Sequence, residues 1–132
     1  MYLLDTNACI RLLNGTSSKL QQRLASEHPA SLLLCSVVKA ELHYGARGSS
    51  RVGENLALLA RFFEPFVSVA FDDDCAAHAG LIRAELAASG TPIGPMDVLI
   101  AATARANDLT LVSNNQREFS RVLGLRLEDW EA

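Results

Sequence analysis

Short stretches of unbroken apolar sequence constrain this chain more than any other feature. Tyr2-Leu3-Leu4 and Leu32-Leu33-Leu34 show no alternation of polar and apolar residues, and Val67-Ser68-Val69 and Thr110-Leu111-Val112 come close to the same pattern. A strand with one face in water alternates, whereas a strand covered on both faces does not. These runs therefore predict a parallel sheet buried between helices. Leu125-Arg126-Leu127 is a fifth candidate strand.

Helical patterns fill the intervals. Ser17 is placed to cap a helix reaching about His28, and Ser36 to cap one through Leu42 with Gly45 near its end. Leu56, Leu59, Ala60 and Phe63 share one helical face before Pro65 stops the segment. Asp73 to Ala88 reads as a helix, with the run Asp72-Asp73-Asp74 at its start. Pro95 suits the first position of a helix ending near Asn107. Strands alternating with helices give the α/β class with right-handed crossovers. The expected architecture is a single domain over residues 1–132, with a parallel central sheet of four to five strands flanked by helices.

Composition narrows the function. At 49% apolar and 20% charged residues the chain is not of the disordered class. Twelve basic against fifteen acidic residues argue against a simple electrostatic nucleic-acid binder. No apolar run reaches the roughly 18–20 residues that cross a bilayer, and the opening Met1-Tyr2-Leu3-Leu4-Asp5 lacks the basic start of a signal peptide. Cys9, Cys35 and Cys75 are widely spaced and form no Cys-x-x-Cys pair, which suits a reduced, cytoplasmic protein. Arginine outnumbers lysine ten to two, a bias toward phosphate contacts or ion pairs.

The chemistry rests on four acids. Asp5 follows the first strand, Glu41 lies in the helix after the second, Asp97 sits in the first turn of the helix at Pro95, and Glu118 follows the strand at Thr110. In an open parallel sheet, strand ends and the starts of the following helices share one edge, where ligands bind. Each acid alone has a structural reading. Asp5 suits an N-cap, Asp97 a first-turn acid, Glu118 a capping box with Asn115, and Glu41 a helical acid. Together they would carry four negative charges, which repel unless cations neutralise them. Oxygen ligands suit Mg²⁺ or Mn²⁺, one or two ions, and such a site activates water against a phosphodiester. His28, His43 and His78 have no ligand spacing.

Four motifs carry a resemblance that spans nearly the whole chain. They are Leu4-Asp5-Thr6-Asn7, Ser36-Val37-Val38-Lys39-Ala40-Glu41-Leu42-His43-Tyr44-Gly45, Ile93-Gly94-Pro95-Met96-Asp97-Val98-Leu99-Ile100-Ala101, and Leu111-Val112-Ser113-Asn114-Asn115-Gln116-Arg117-Glu118-Phe119. In this order the chain resembles a PIN-domain ribonuclease of the VapC toxin type, from bacterial type II toxin–antitoxin systems. The ending Gly124 to Trp130 is similar to members of the same group. Ser113 stands where the group commonly has Thr, and Glu118 where it commonly has Asp.

The resemblance implies a PIN-like fold and Mg²⁺- or Mn²⁺-dependent endonucleolytic hydrolysis of RNA, with tRNA among the substrates of such enzymes. It makes Asp5 and Asp97 direct metal ligands. Glu41 would bind directly or through water and orient the attacking water. Glu118 would complete the pocket, with Asn115 the alternative at that position. Thr6 and Ser113 supply hydroxyls suited to orienting these carboxylates. A homodimer and a VapB-type antitoxin that covers the groove follow from the same resemblance. Arg11, Arg47, Arg51, Arg83 and Arg117 are candidates for RNA phosphates against the alternative of ion pairing, and Tyr44 stands near Glu41 as a rim or stacking residue. Trp130 and the phenylalanines read as packing residues. An aspartyl phosphotransferase is the competing enzyme class, but such enzymes usually place a second Asp two residues after the first, where this chain has Asn7. A PIN domain that binds RNA without cutting it is the non-enzymatic alternative, and four filled acidic positions argue against it.

Overall fold

The computed structural model describes residues 1–132. Five strands form one all-parallel sheet: β1 (Tyr2–Leu4), β2 (Leu32–Cys35), β3 (Val67–Val69), β4 (Thr110–Val112) and β5 (Leu127–Glu128), in the order β3-β2-β1-β4-β5. The helices are α1 (Thr6–Asn14), α2 (Ser18–Ser26), α3 (Ser36–Arg47), α4 (Val52–Phe63), α5 (Asp73–Ala88), α6 (Pro95–Ala106) and the short α7 (Gln116–Phe119). A 3₁₀ turn at Pro29–Ser31 leads into β2.

The unbroken apolar runs take the central positions. Leu3, Leu4, Leu34 and Leu111 have no exposed surface, and they join one cluster of 28 buried residues. Edge strand β3 is the most open, with Val67 and Ser68 exposed. This departs from the double-sided burial expected of Val67-Ser68-Val69, because an edge strand has a neighbour on one side only.

The strand order determines where a ligand can enter. From β1 the chain moves outward to β2 and β3, then crosses back to place β4 on the other side of β1. The connections leaving β1 toward β2 and leaving β4 toward β5 therefore diverge, and a crevice opens at the carboxyl ends of β1 and β4. Asp5 and Ser113 are the first residues past those two strands.

Several boundaries differ from the sequence reading. Cys35, not Ser36, is the cap residue of α3, and the Ser36 hydroxyl instead donates to the Val69 carbonyl. Buried Cys35 is the last residue of β2, so the chain enters the helix with no loop residue between. Gly45 lies inside α3, which runs on to Arg47 because Ala46 is buried one turn beyond Leu42. On α4, Leu59 is buried while Ala60 faces solvent. Helix α2 ends at Ser26, since His28 already caps the 3₁₀ turn. Strand β5 lies at Leu127–Glu128 rather than 125–127 because Gly124, at φ 74°, and the Leu125 N–H bond to the Val122 carbonyl keep Leu125 in a turn.

Leu111→Ala would leave a cavity under β4. It is expected to lower the unfolding free energy by about 2–5 kcal/mol, against a change within about 0.5 kcal/mol for Leu123→Ala, whose side chain is exposed. Urea denaturation of the two variants checks this, and equal effects would contradict the burial pattern.

Candidate active site

Asp5 sits at the junction of β1 and α1. Its backbone N–H donates to the Val112 carbonyl at 3.1 Å, which extends the β1–β4 pairing one residue past the strand. Its Oδ1 accepts the Ala8 N–H at 2.8 Å and caps α1. The carboxylate is 4% exposed. Burial raises its pKa, opposed by the Ser113 hydroxyl, the Ala8 amide and the Arg11 charge, while Glu131 adds to the rise. Capping and a cleft position therefore coexist in this residue, because a carboxylate has two oxygens and more acceptor sites than the cap consumes.

Glu41 lies in the second turn of α3 and is half-buried. The Thr6 hydroxyl donates to its Oε1 at 2.6 Å across 35 residues of sequence. That bond fixes the carboxylate's direction and ties the start of α1 to α3. Glu41 also borders an apolar cleft of about 280 Å³, which includes Ile10, Leu13, Leu42, Leu58 and Leu59.

Asp97 occupies the first turn of α6, whose first residue is Pro95. Its Oδ2 folds back over Gly94, where a Cβ would meet it at 3.5 Å. A helix N-terminus favours a charged carboxylate, yet Asp97 is pushed up to about 6. Burial is the largest cause, followed by the negative charges of Glu118, Glu41 and Asp5 in that order. The charges of Glu118, Glu41 and Asp5 thus all bear on Asp97 at the carboxyl edge of β1 and β4.

Glu118 is carried on α7. Asn115 caps this helix, its Oδ1 accepting the Glu118 N–H at 3.4 Å while its Nδ2 donates to Glu118 Oε2 at 3.2 Å. The reciprocal bond of a capping box normally reaches the cap residue's backbone N–H. Here that N–H goes to Ser113 Oγ at 2.9 Å, so the Glu118 carboxylate is met by the Asn115 side chain instead. Both ends of the Asn115 amide are engaged by Glu118.

The donors are all hard oxygens, which fits Mg²⁺ or Mn²⁺ better than zinc or copper. No three His, Cys, Asp or Glu side chains close to the spacing that would grip a single ion by themselves. A cation that keeps several of its waters suits this open arrangement. The histidines lie elsewhere: His28 caps the 3₁₀ turn, His43 packs on Phe63, and His78 accepts from Arg105.

The arginine candidates divide. Arg11 makes a two-pronged ion pair with Glu131, at 2.7 and 2.6 Å, and Arg51 pairs with Glu54 at 3.5 Å. Arg47, Arg83 and Arg117 are exposed and form no salt bridge. Tyr44 is 83% exposed, one turn of α3 from Glu41. The Arg11–Glu131 pair was not legible in the sequence, because its partners stand 120 residues apart with no pattern linking them.

The PIN-domain family model matches residues 2–125. Over 129 residues the chain is 41% identical to a tRNA(fMet)-specific endonuclease VapC of Shigella flexneri, covering 98% of this chain and 97% of that protein. It is 35% identical over 132 residues to ribonuclease VapC2 of Rickettsia felis, covering 99% and 98%. Among solved structures, the DNA-bound VapBC of Salmonella typhimurium aligns with a TM-score of 0.91 at 39% identity, covering 98% of this chain and 97% of that one. VapBC2 of Rickettsia felis, bound to a promoter fragment, aligns at 0.90 and 35%, covering 98% of each.

The raised Asp97 pKa sets a pH dependence in metal-free protein. The folded form holds its proton up to about pH 6, whereas the unfolded form releases it near 3.9. This contribution to stability is full below the unfolded value and is lost as pH rises through about 6. In EDTA, Asp97→Asn is expected to melt higher than the parent at pH 7.5, with the gap closing toward pH 4. A gap that widens on acidification would contradict the electrostatic picture.

Proposed function

This chain belongs to the PIN-domain family, and we propose that it is a VapC-type toxin, an endoribonuclease that hydrolyses RNA phosphodiester bonds with a divalent metal. The observation that carries this reading is the convergence of Asp5, Glu41 and Glu118 on Asp97, whose carboxyl their negative charges help push up to about 6 after burial. The four carry a formal charge of about −4, which one divalent ion halves and two cancel. Mg²⁺ or Mn²⁺ is the cation proposed.

Asp5 and Asp97 would hold the metal. Asp5 is set by the cap of α1, and Asp97 by its fold back over Gly94. A divalent cation at this position supplies the positive charge that activates water and offsets charge developing on the phosphodiester. Glu41, its direction fixed by Thr6, orients the attacking water and receives its proton. Ser113 favours the charged form of Asp5, and Asn115 holds Glu118 toward the crevice as the fourth acid. Water attacks the phosphorus in line with the departing sugar oxygen, the P–O bond breaks, and no bond to the protein forms.

The substrate proposed is tRNA, as the name of the Shigella relative indicates for that protein. Arg47 and Arg117, exposed and free of ion pairs, are suited to its phosphates. The partner proposed is a VapB-type antitoxin, since the similar structures are VapBC assemblies. An apolar segment of it would seat in the cleft at Ile10, Leu13 and Leu58 and bring a basic side chain to the acids. Residues 1–132 act as one domain, in a homodimer, in the bacterial cytoplasm. No helix is long and apolar enough to cross a membrane.

Purified protein incubated with a tRNA pool is expected to cut it in Mg²⁺ or Mn²⁺ and to stop on addition of EDTA. Asp5→Asn and Asp97→Asn should each lower cleavage about 100-fold or more. Thr6→Val should lower it about tenfold, with Thr6→Ser close to the parent. Cleavage that survives both aspartate changes, followed by electrophoresis of the products, would overturn the assignment.

A further inference from the structure

Asp5 is the hinge residue between β1 and α1, so its carboxylate is aimed by the relative position of a strand and a helix. Both are referenced to one distant segment, the residues that follow β5. Trp130, 6% exposed, meets the Tyr2 ring of β1 edge-on at 4.9 Å, with the Arg23 guanidinium over its ring at 4.5 Å from the centroid. Its indole N–H donates to Glu128 at 3.1 Å. The next residue, Glu131, reaches the other side of the hinge and takes Arg11, in the last turn of α1, through both carboxylate oxygens. The pair is largely shielded, with side chains 23% and 16% exposed, and is two-pronged. Such pairs hold geometry far better than exposed, single-pronged ones. The Glu131 backbone is itself pinned, its N–H donating to Asp129 at 2.9 Å.

We infer that the Arg11–Glu131 pair positions Asp5 for the metal: the segment 128–131 braces β1 through Trp130 and α1 through Glu131, and so fixes the angle of the hinge between them. This rests on Asp5 being a metal ligand, as proposed above. Arg11 is a positioning residue. Its Nε and Nη2 are both engaged by Glu131, which assigns it to the brace rather than to RNA phosphates.

A positioning role and a purely electrostatic one predict opposite signs for one variant. Arg11→Met removes a positive charge near Asp5 and leaves Glu131 negative. Electrostatics alone would then tighten binding of a cation, whereas a loosened hinge weakens it. Titration calorimetry of the full chain with MnCl₂ at 25 °C reads this without catalysis. Arg11→Met and Glu131→Gln are each expected to weaken Mn²⁺ binding about tenfold. The reversed pair, Arg11→Glu with Glu131→Arg, is expected to return most of the affinity. Amide exchange in residues 6–14 should quicken in the single variants and slow again in the reversed pair.

Tighter or unchanged Mn²⁺ binding by Arg11→Met would overturn the inference, as would a lowered melting temperature with affinity intact. Asp5→Asn is measured beside them. If it binds Mn²⁺ like the parent, the reading of Asp5 as a ligand fails, and the inference falls with it.

Discussion

Four carboxylates gathered at one sheet edge in a half-buried crevice repel one another unless a cation neutralises them. The cost is visible in Asp97, held near 6 by burial and by three negative neighbours despite its place at a helix N-terminus. A helix terminus contributes a modest stabilisation of a nearby carboxylate, and here burial, with the charged neighbours behind it, outweighs that effect. Repulsion of this kind is expensive to maintain unless it is relieved on binding. The fold therefore holds these carboxyl groups in place in advance, at a spacing whose repulsion a divalent cation would offset.

The backbone brings these acids together by using each one twice. Asp5 caps α1 with one oxygen, Asp97 fills the first turn of α6, and Glu118 sits one turn past the cap of α7. Capping rules place acids at helix starts, and a parallel sheet places helix starts at a common edge. Divergence of the connections at β1 and β4 then opens a space between them. Glu41 alone departs from this pattern, since it stands in the second turn of α3. Its bond to Thr6 at 2.6 Å compensates by reaching across to the start of α1.

Much of this was legible in the sequence because it depends on local rules. Unbroken apolar runs marked β1, β2 and β4, and Asp5, Asp97 and Asn115 stood where caps and first turns require them. Two kinds of feature were not legible. Boundaries set by packing escaped local rules, as where buried Cys35 takes the cap position expected of Ser36, or where buried Ala46 carries α3 through Gly45. Contacts between remote residues escaped as well. Phosphate contact and ion pairing were both open for Arg11, and nothing in the sequence pointed to Glu131, 120 residues away, as its partner. The mild acidity of the chain also takes on another sense. Fifteen acids less the four at the crevice leave eleven, against twelve basic residues, so the rest of the surface is nearly neutral.

The central claim is that a divalent cation belongs among these four acids. Crystals grown with MnCl₂ and measured at the manganese absorption edge test it most directly. The account predicts an anomalous peak between Asp5 and Asp97 at the carboxyl ends of β1 and β4, within reach of Glu41 or Glu118 through water. A peak confined to other surface carboxylates, with the crevice empty at millimolar manganese, would contradict it.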